Sequence, residues 1–227
     1  MMKDNKENNE NRKLTKDEEK RLALFEDRTE RLAREGYAHT ELVVSSGKAN
    51  VTGPLFGLAL SAPFALLFYL LRGESLVSGP NMDALWKYYA LFIAAMLLAI
   101  PVHELIHGLT FCLFTKGKFK SLAFGFNRQA LAPYCSCTEA LTKGQYLTGL
   151  LMPFLLLGVI PCAIAVAVHN LWLLLFGIVM IMSAGGDLLV ARLLLGHKTE
   201  RETIYLDHPT KIGLACFEKS DEQSGIG

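Results

Sequence analysis

The segment PVHELIHGLT, residues 101–110, places two histidines and a glutamate inside an otherwise apolar stretch. Residues four apart on an α-helix share a face, so His103 and His107 can bind one metal ion. Glu104 lies about 100° around the helix from His103, close enough to reach a water molecule on that metal. The pattern H-E-x-x-H on a helix is typical of zinc metalloproteases, in which the glutamate is the general base. The segment therefore predicts peptide hydrolysis that depends on one Zn²⁺ per chain.

A catalytic zinc needs a third protein ligand and an open position for water. The best candidate is Asp187 in SAGGDLLVAR, because it is the only other acidic residue inside a predicted membrane span. Two other roles for Asp187 stay open: an ion pair with Arg192, or a hydrogen bond that orients a ligand histidine. Weaker candidates lie at the far membrane interface or in predicted loops: His169, Glu139, His197 and His208.

A histidine in a membrane helix is commonly satisfied by hydrogen bonds alone, so the carboxylate of Glu104 is the stronger signal. A charged side chain within a bilayer costs several kcal/mol unless it is paired or faces water. Ionisable residues at such positions usually serve a function. The sequence CSC, with Cys135 and Cys137, also suggests a metal site, but a single C-x-C motif is more often a pair of ordinary buried thiols.

The distribution of charge indicates an integral membrane protein. Residues 1–35 hold 20 of the 45 charged side chains, ten basic and ten acidic, whereas Ala49–Leu71 holds none. Tyr88–Thr115 carries only Glu104, and Gly144–Gly186 has 43 residues without Asp, Glu, Lys or Arg. Runs longer than about 18 apolar residues are typical of transmembrane helices. The lipid bilayer is therefore a partner of this chain, and no nucleic-acid partner is expected.

The apolar runs predict about four transmembrane helices, near 54–72, 88–114, 146–168 and 171–194, with a polar break at VHNLW. His103 lies 15 residues after Tyr88, and Asp187 lies 16 residues after Leu171. Since a helix rises 1.5 Å per residue, both side chains lie roughly 23 Å from the outer edge of the membrane. The second and fourth helices therefore place the two motifs at the same depth, where Gly185 and Gly186 favour close helix packing.

The loops predict the orientation, because basic residues concentrate on the cytoplasmic side. The basic side chains lie between the second and third helices and in the tail: Lys116, Lys118, Lys120, Arg128, Lys143, Lys198, Arg201, Lys211 and Lys219. We therefore expect a multi-pass protein of the cell membrane with both termini in the cytoplasm. The predicted organisation is a charged N-terminal segment (1–48), a transmembrane domain (49–196) and a C-terminal tail (197–227).

Two segments outside the spans have their own patterns. The leader LTKDEEKRLALFEDRTERLAREGY predicts a soluble helix, with a capping box formed by Thr15 and Glu18. Between the second and third helices, KFKSLAFGFNRQALAPYCSC alternates around a polar turn, as a β-hairpin does. Its apolar content favours a re-entrant hairpin beside a water-filled cavity. The fold class is thus an all-α membrane protein with one re-entrant β-hairpin, and Asn127 and Arg128 at the hairpin tip are candidates for substrate binding.

HELIHG, APYC, GGDL and the tail motif DHPTKIG resemble a bacterial family described as membrane zincin peptidases, from about residue 40 onward. More distantly, the plan is similar to the site-2 proteases, which hold zinc with an H-E-x-x-H helix and a later aspartate. The resemblance implies that His103, His107 and Asp187 are the zinc ligands. It also implies that Glu104 is the catalytic glutamate. Site-2 proteases have glycine after the aspartate, whereas both glycines here precede it.

These patterns predict an intramembrane zinc metalloprotease that cleaves membrane-associated proteins, most readily a transmembrane segment, near the cytoplasmic side. Two other functions stay open: an inactive, metal-stabilised membrane scaffold, and a proton or ion transporter that uses His103, Glu104 and Asp187 as a relay. The transporter is less favoured, because the sequence has no evident inverted repeat.

Overall fold

The computed structural model of the protein describes residues 15–72, 82–127, 132–199 and 201–220. The helices in these ranges are α1 (Lys16–Arg34), α2 (Ser46–Arg72), α3 (Met82–Cys112), α4 (Lys143–Pro153), α5 (Ile160–Val168), α6 (Leu171–Ser183) and α7 (Gly185–Gly196). The strands are β1 (Tyr37–Val44), β2 (Leu122–Asn127), β3 (Ala132–Cys137), β4 (Thr203–Asp207) and β5 (Ile212–Lys219). A π-helical segment, Phe154–Val159, joins α4 to α5.

Within the described residues, three helices are long and apolar enough to cross a membrane: Ser46–Leu71 in α2, Leu85–Cys112 in α3, and the continuous helix Lys143–Val168. Only 11–28% of the residues in their most apolar windows are buried inside the protein. The remaining surface is largely aliphatic and aromatic, which water solvates poorly and lipid solvates well. These features agree with the predicted membrane protein.

The fourth predicted span is broken, which the sequence did not indicate. α6 ends at Ser183, α7 begins at Gly185, and the two axes bend by 51°. Consecutive small residues are a common cause of sharp bends, and here Ser183 and Ala184 precede two glycines. The helix predicted over 171–194 is therefore a bent pair, α6 and α7, and the polar break before it, at His169 and Asn170, is confirmed.

The fold is mostly helical, as predicted, but the sequence patterns did not predict a three-stranded antiparallel sheet that joins the two ends of the described chain. Its strand order is β1-β5-β4, and Tyr37 pairs with Lys219. The sheet packs against α1, whose Phe25 and Leu32 contact a core cluster that includes Phe217. α1 itself confirms the predicted leader helix and its capping box with Glu18.

The predicted β-hairpin is present, since β2 and β3 pair antiparallel from Leu122 opposite Cys137 to Asn127 opposite Ala132. Thr138 N–H donates to the Ser121 carbonyl, which continues the same ladder by one pair. Because neighbouring residues of a strand face alternate sides, the N–H group of Cys137 points away from β2. Among the described residues no strand pairs with this outer edge of β3, while the depth of the hairpin in the membrane stays a prediction.

The break before α7 allows an unusually close contact between helix backbones. A Cβ atom added to Gly185 would lie 2.2 Å from the carbonyl carbon of Gly53 in α2. By contrast, a Cβ atom on Gly186 would meet nothing within 4 Å. Of the two glycines, Gly185 therefore makes the predicted close contact and Gly186 does not.

We expect Gly185→Ala to lower the thermal stability of the detergent-solubilised protein, because a methyl group there collides with backbone that cannot rotate away. Overpacking of this kind costs roughly 1–3 kcal/mol. Gly186→Ala is the matched control and should keep or slightly raise the Tm, since alanine favours helix. Equal Tm values for the two variants, measured by thermal unfolding, would contradict the close contact.

Candidate metal centre

α3 carries both histidines of the H-E-x-x-H motif on one buried face. His103 and His107 are 8% and 4% exposed, and their rings stand edge to face with centroids 4.8 Å apart. Their Nε2 atoms lie 3.1 Å apart. The helical spacing of four residues has therefore turned two nitrogen donors toward one point, as the sequence predicts.

Asp187 meets this pair from the first turn of α7. Its Oδ2 atom lies 3.1 Å from Nε2 of His103 and 3.4 Å from Nε2 of His107. The break at Ala184 creates a helix N-terminus beside the carboxylate, and the partial positive charge of that terminus favours an anion there. The bend that the sequence did not predict is thus what positions the third predicted residue.

The hydrogen bond on the far side of His107 fixes which ring nitrogen can bind a metal. Nδ1 of His107 lies 2.8 Å from the carbonyl oxygen of Gly149, which can only accept, so Nδ1 carries the proton. In the neutral ring, Nε2 then presents a lone pair toward Nε2 of His103 and the carboxylate of Asp187. Lone pairs repel at such distances unless a cation or a proton lies between them.

The donor set fits Zn²⁺. Bonds of about 2.0–2.2 Å at tetrahedral angles separate two nitrogen or oxygen ligands by roughly 3.3–3.6 Å. The three donor atoms of His103, His107 and Asp187 lie 3.1, 3.1 and 3.4 Å apart. A backbone carbonyl that accepts the second N–H of a ligand histidine, as Gly149 does, is a regular feature of zinc sites. The side chain of Asp187 is 26% exposed, so the group opens on one side.

Glu104 is held beside the group by the hairpin. Its carboxylate accepts a hydrogen bond from the backbone N–H of Cys135 in β3. By strand alternation this N–H belongs to the outer edge of β3, like that of Cys137. Asp207 in β4 accepts the hydrogen bond of the Cys137 N–H group. The outer donors of β3 are therefore bound by two carboxylates, one of them from the motif.

A cavity of about 780 Å³ connects these groups with the β-sheet region. The predicted metal ligands and Glu104 line one part of it, and the β4–β5 turn lines another. α1 contributes Glu18 and Arg21, and the guanidinium group of Arg21 lies 4.6 Å above the ring of Tyr134 in β3. The cavity is therefore bordered by membrane helices, by the hairpin and by the N-terminal helix together.

The other predicted residues lie apart from the donor group. Asn127 lines the cavity, whereas Arg128 lies outside the described residues. Among the weaker candidates for the third ligand, Glu139 accepts hydrogen bonds from the backbone of Lys116 and Gly117. Three histidines also lie elsewhere: His169 in the turn before α6, His197 after α7, and His208 at the cavity wall beside Glu41.

Sequence reasoning missed Asp207, although the tail motif DHPTKIG begins with it. Burial raises the pKa of Asp207 to about 6, against the opposing effect of hydrogen bonds from Cys137 N–H and Ser136. A carboxylate that is costly to ionise beside a cavity is a common property of functional sites. The motif DHPTKIG was the only signal for Asp207 in the sequence. The position of Asp207 depends on a sheet in which the tail pairs with β1, and this pairing spans most of the chain.

A comparison with known protein families covers the same part of the chain. Residues 96–201 match the model of a family described as "Putative zincin peptidase". The resemblance to that family is confirmed. The matched segment covers slightly less than half of the chain and includes His103, Glu104, His107 and Asp187. No curated protein and no solved structure matches the chain, so the likeness of this segment to the site-2 proteases stays a prediction.

We expect purified wild-type protein to retain zinc and Asp187→Asn to bind it more weakly, because the variant loses an anionic donor while keeping its shape. The loss of affinity should exceed the roughly 10–100-fold that follows removal of a group hydrogen-bonded to a ligand. His103→Ala should lose zinc from this position altogether. Metal analysis against a series of chelator concentrations measures both effects, and undiminished zinc in Asp187→Asn would remove the aspartate from the ligand set.

Asp207→Asn should stabilise the protein in a pH-dependent way. The folded-state pKa of Asp207, about 6, lies above its usual value, so its favourable contribution is complete at low pH and is lost as pH rises through 6. The asparagine side chain avoids this loss. The free energy of unfolding of the variant should therefore exceed that of wild type by about 1–3 kcal/mol at pH 8, with little difference near pH 4. Thermal unfolding at both pH values tests this, and a difference that does not change with pH would contradict burial of the ionised carboxylate.

Proposed function

We propose that this protein is an intramembrane zinc metalloprotease that hydrolyses peptide bonds of membrane-associated proteins near the cytoplasmic side. The observation that supports it most directly is the convergence of His103, His107 and Asp187 within 3.4 Å of one another, with Glu104 beside them. The family match supports a zinc peptidase, and the long apolar helices support action within a membrane.

In this proposal, the two histidines and Asp187 hold the metal and leave one side open toward the cavity. The chemistry that zinc supplies when bound is Lewis-acid polarisation of the scissile carbonyl and of a water molecule. Gly149 keeps the ring of His107 in the tautomer that can act as a ligand. Proton transfer and substrate docking depend on side chains and backbone groups of the protein itself.

Glu104 is the general base. It accepts the proton of the attacking water, and it later donates that proton to the amine that leaves as the peptide bond breaks. The N–H group of Cys135 holds the carboxylate in place and accounts for one of its acceptor positions. Positioned proton transfer of this kind contributes about 10²–10⁴-fold to a rate.

The outer edge of β3 is the docking position for an extended substrate segment. Pro133 has no N–H, and the outer N–H groups of Cys135 and Cys137 are already bound to Glu104 and Asp207. The edge therefore offers carbonyl oxygens, to which an unwound peptide donates its own N–H groups by strand addition. Asn127 lines the cavity at the end of β2, where it would contact the same segment.

Glu104→Gln should lower hydrolysis by at least about 10²-fold while zinc stays bound, because glutamine keeps the shape but cannot accept the proton. Wild type and variant are expressed in matched cells that lack the endogenous gene. New peptide N-termini in the membrane fraction are then compared by mass spectrometry.

The metal content of both preparations is the control in this experiment. Termini that appear with wild type and disappear with Glu104→Gln, at equal zinc, are the expected result. Equal zinc with no wild-type-dependent termini would favour the inactive scaffold. Zinc-independent proton flux in proteoliposomes, lost in the same variant, would favour the transporter.

Cys135→Pro should abolish cleavage without removing zinc, since proline deletes the N–H that holds Glu104 and alters the docking edge. Cys135→Ala is the matched control: it removes the thiol, keeps the N–H, and should cleave at nearly the wild-type rate. The measurement is the same comparison of N-termini together with zinc content. Joint loss of zinc and cleavage in the proline variant would instead indicate a misfolded hairpin.

A further inference from the structure

A second group of metal-binding side chains lies where α7 ends beside β5. His197 is the first residue after α7, and Cys216 and Glu218 lie two apart on β5, so their side chains share one face. Nε2 of His197 lies 3.0 Å from Oε1 of Glu218. Sγ of Cys216 lies 3.8 Å from the same nitrogen and 4.0 Å from the same oxygen.

We propose that His197, Cys216 and Glu218 form a second zinc site, separate from the group on α3. Thiolate, imidazole and carboxylate are the donors that zinc binds in proteins. With a Zn–S bond of about 2.3 Å, a tetrahedral ion separates sulfur from nitrogen or oxygen by roughly 3.5–3.7 Å. The observed separations differ from these values by about 0.5 Å or less, which side-chain rotation can supply.

One rotation is needed before the three donors can bind a common ion. Sγ of Cys216 lies almost equally far from both ring nitrogens of His197, 3.8 Å from Nε2 and 3.9 Å from Nδ1. The ring must therefore turn about its Cβ–Cγ bond to point Nε2 between sulfur and carboxylate. The hydroxyl of Tyr205 lies 3.2 Å from Nδ1 before this rotation, and a small turn that keeps this contact lets the hydroxyl accept the Nδ1 proton and leaves the Nε2 lone pair available.

Because the Cys216 thiol must lose its proton, metal binding at this site depends on pH. Cys216 is fully buried, and burial raises its pKa to about 11, so the free thiol keeps its proton at neutral pH. Binding of the cation displaces this proton to water, and the apparent affinity therefore rises with pH. The side chains of His197 and Glu218 are 15% and 24% exposed, so the group is open on one side, where a water molecule completes four-fold coordination.

Zinc at this position would connect two parts of the molecule that border the cavity. Asp187 lies in the first turn of α7 and His197 directly follows its last residue, while β5 begins with Ile212 and Gly213 at the cavity wall. Lys143, at the start of α4, already donates to the carbonyl of His197 at 2.7 Å. The second ion would fix the far end of α7 to the sheet and so limit movement of the helix that carries Asp187.

Cobalt substitution tests this site separately from the proposed protease site. Co²⁺ bound to thiolate gives a sulfur-to-cobalt charge-transfer band in the near ultraviolet, and the donor group on α3 contains no sulfur. We expect two metal equivalents and this band in the full-length wild type. Cys216→Ser should lose the band and one equivalent, whereas His103→Ala should lose one equivalent and keep the band.

Cys135→Ser is the matched control, because this thiol lines the catalytic cavity but lies outside the second group. The equivalent that Cys216→Ser retains shows that the variant is folded. One equivalent with a band that depends on Cys216 and not on His103 would support the second site and count against the proposed protease. Absence of the band in wild type, or its loss in Cys135→Ser with retention in Cys216→Ser, would overturn the inference and leave His197 and Glu218 as an ion pair.

Discussion

The contact between Asp187 and the two histidines of α3 is the constraint on which the rest of the architecture depends. A carboxylate and two imidazoles inside apolar helices are costly to bury singly, and their mutual contact with a divalent ion would offset that cost. The contact requires the backbone approach of Gly185 to Gly53 and a new helix N-terminus at the bend. The first turn of α7 thus makes both contacts, the polar one with α3 and the small-residue one with α2.

The hairpin and the three-stranded sheet lie outside the long helices and position further groups beside this contact. β3 supplies the N–H that holds Glu104, and Asp207 of β4 binds the next outer N–H of the same strand. The cavity passes between these strands and the donor group, which gives the polar residues a route to water. An enzyme that hydrolyses peptides in a membrane needs water, an extended substrate and a positioned base, and these elements can serve all three needs.

Local sequence patterns predicted those structural features that depend on residues close together in the chain. The spacing of His103 and His107 fixed a common face, long apolar runs fixed the spans, and period-two alternation fixed the hairpin. The bend at Ala184 escaped prediction, because small residues such as those at 183–186 also occur inside continuous membrane helices, where they favour close packing. The β1–β5 pairing escaped for another reason: it joins segments almost 170 residues apart, and no short-range signal specifies such a partner. The Cys135 N–H contact is made by backbone, which has no signature in side-chain types.

The most direct test is an anomalous-difference map at the zinc absorption edge from crystals of the full-length protein. This account predicts a peak about 2.0–2.2 Å from Nε2 of His103, Nε2 of His107 and a carboxylate oxygen of Asp187. A map in which the Asp187 carboxylate turns away from both imidazoles, or in which no peak lies between them, would contradict it.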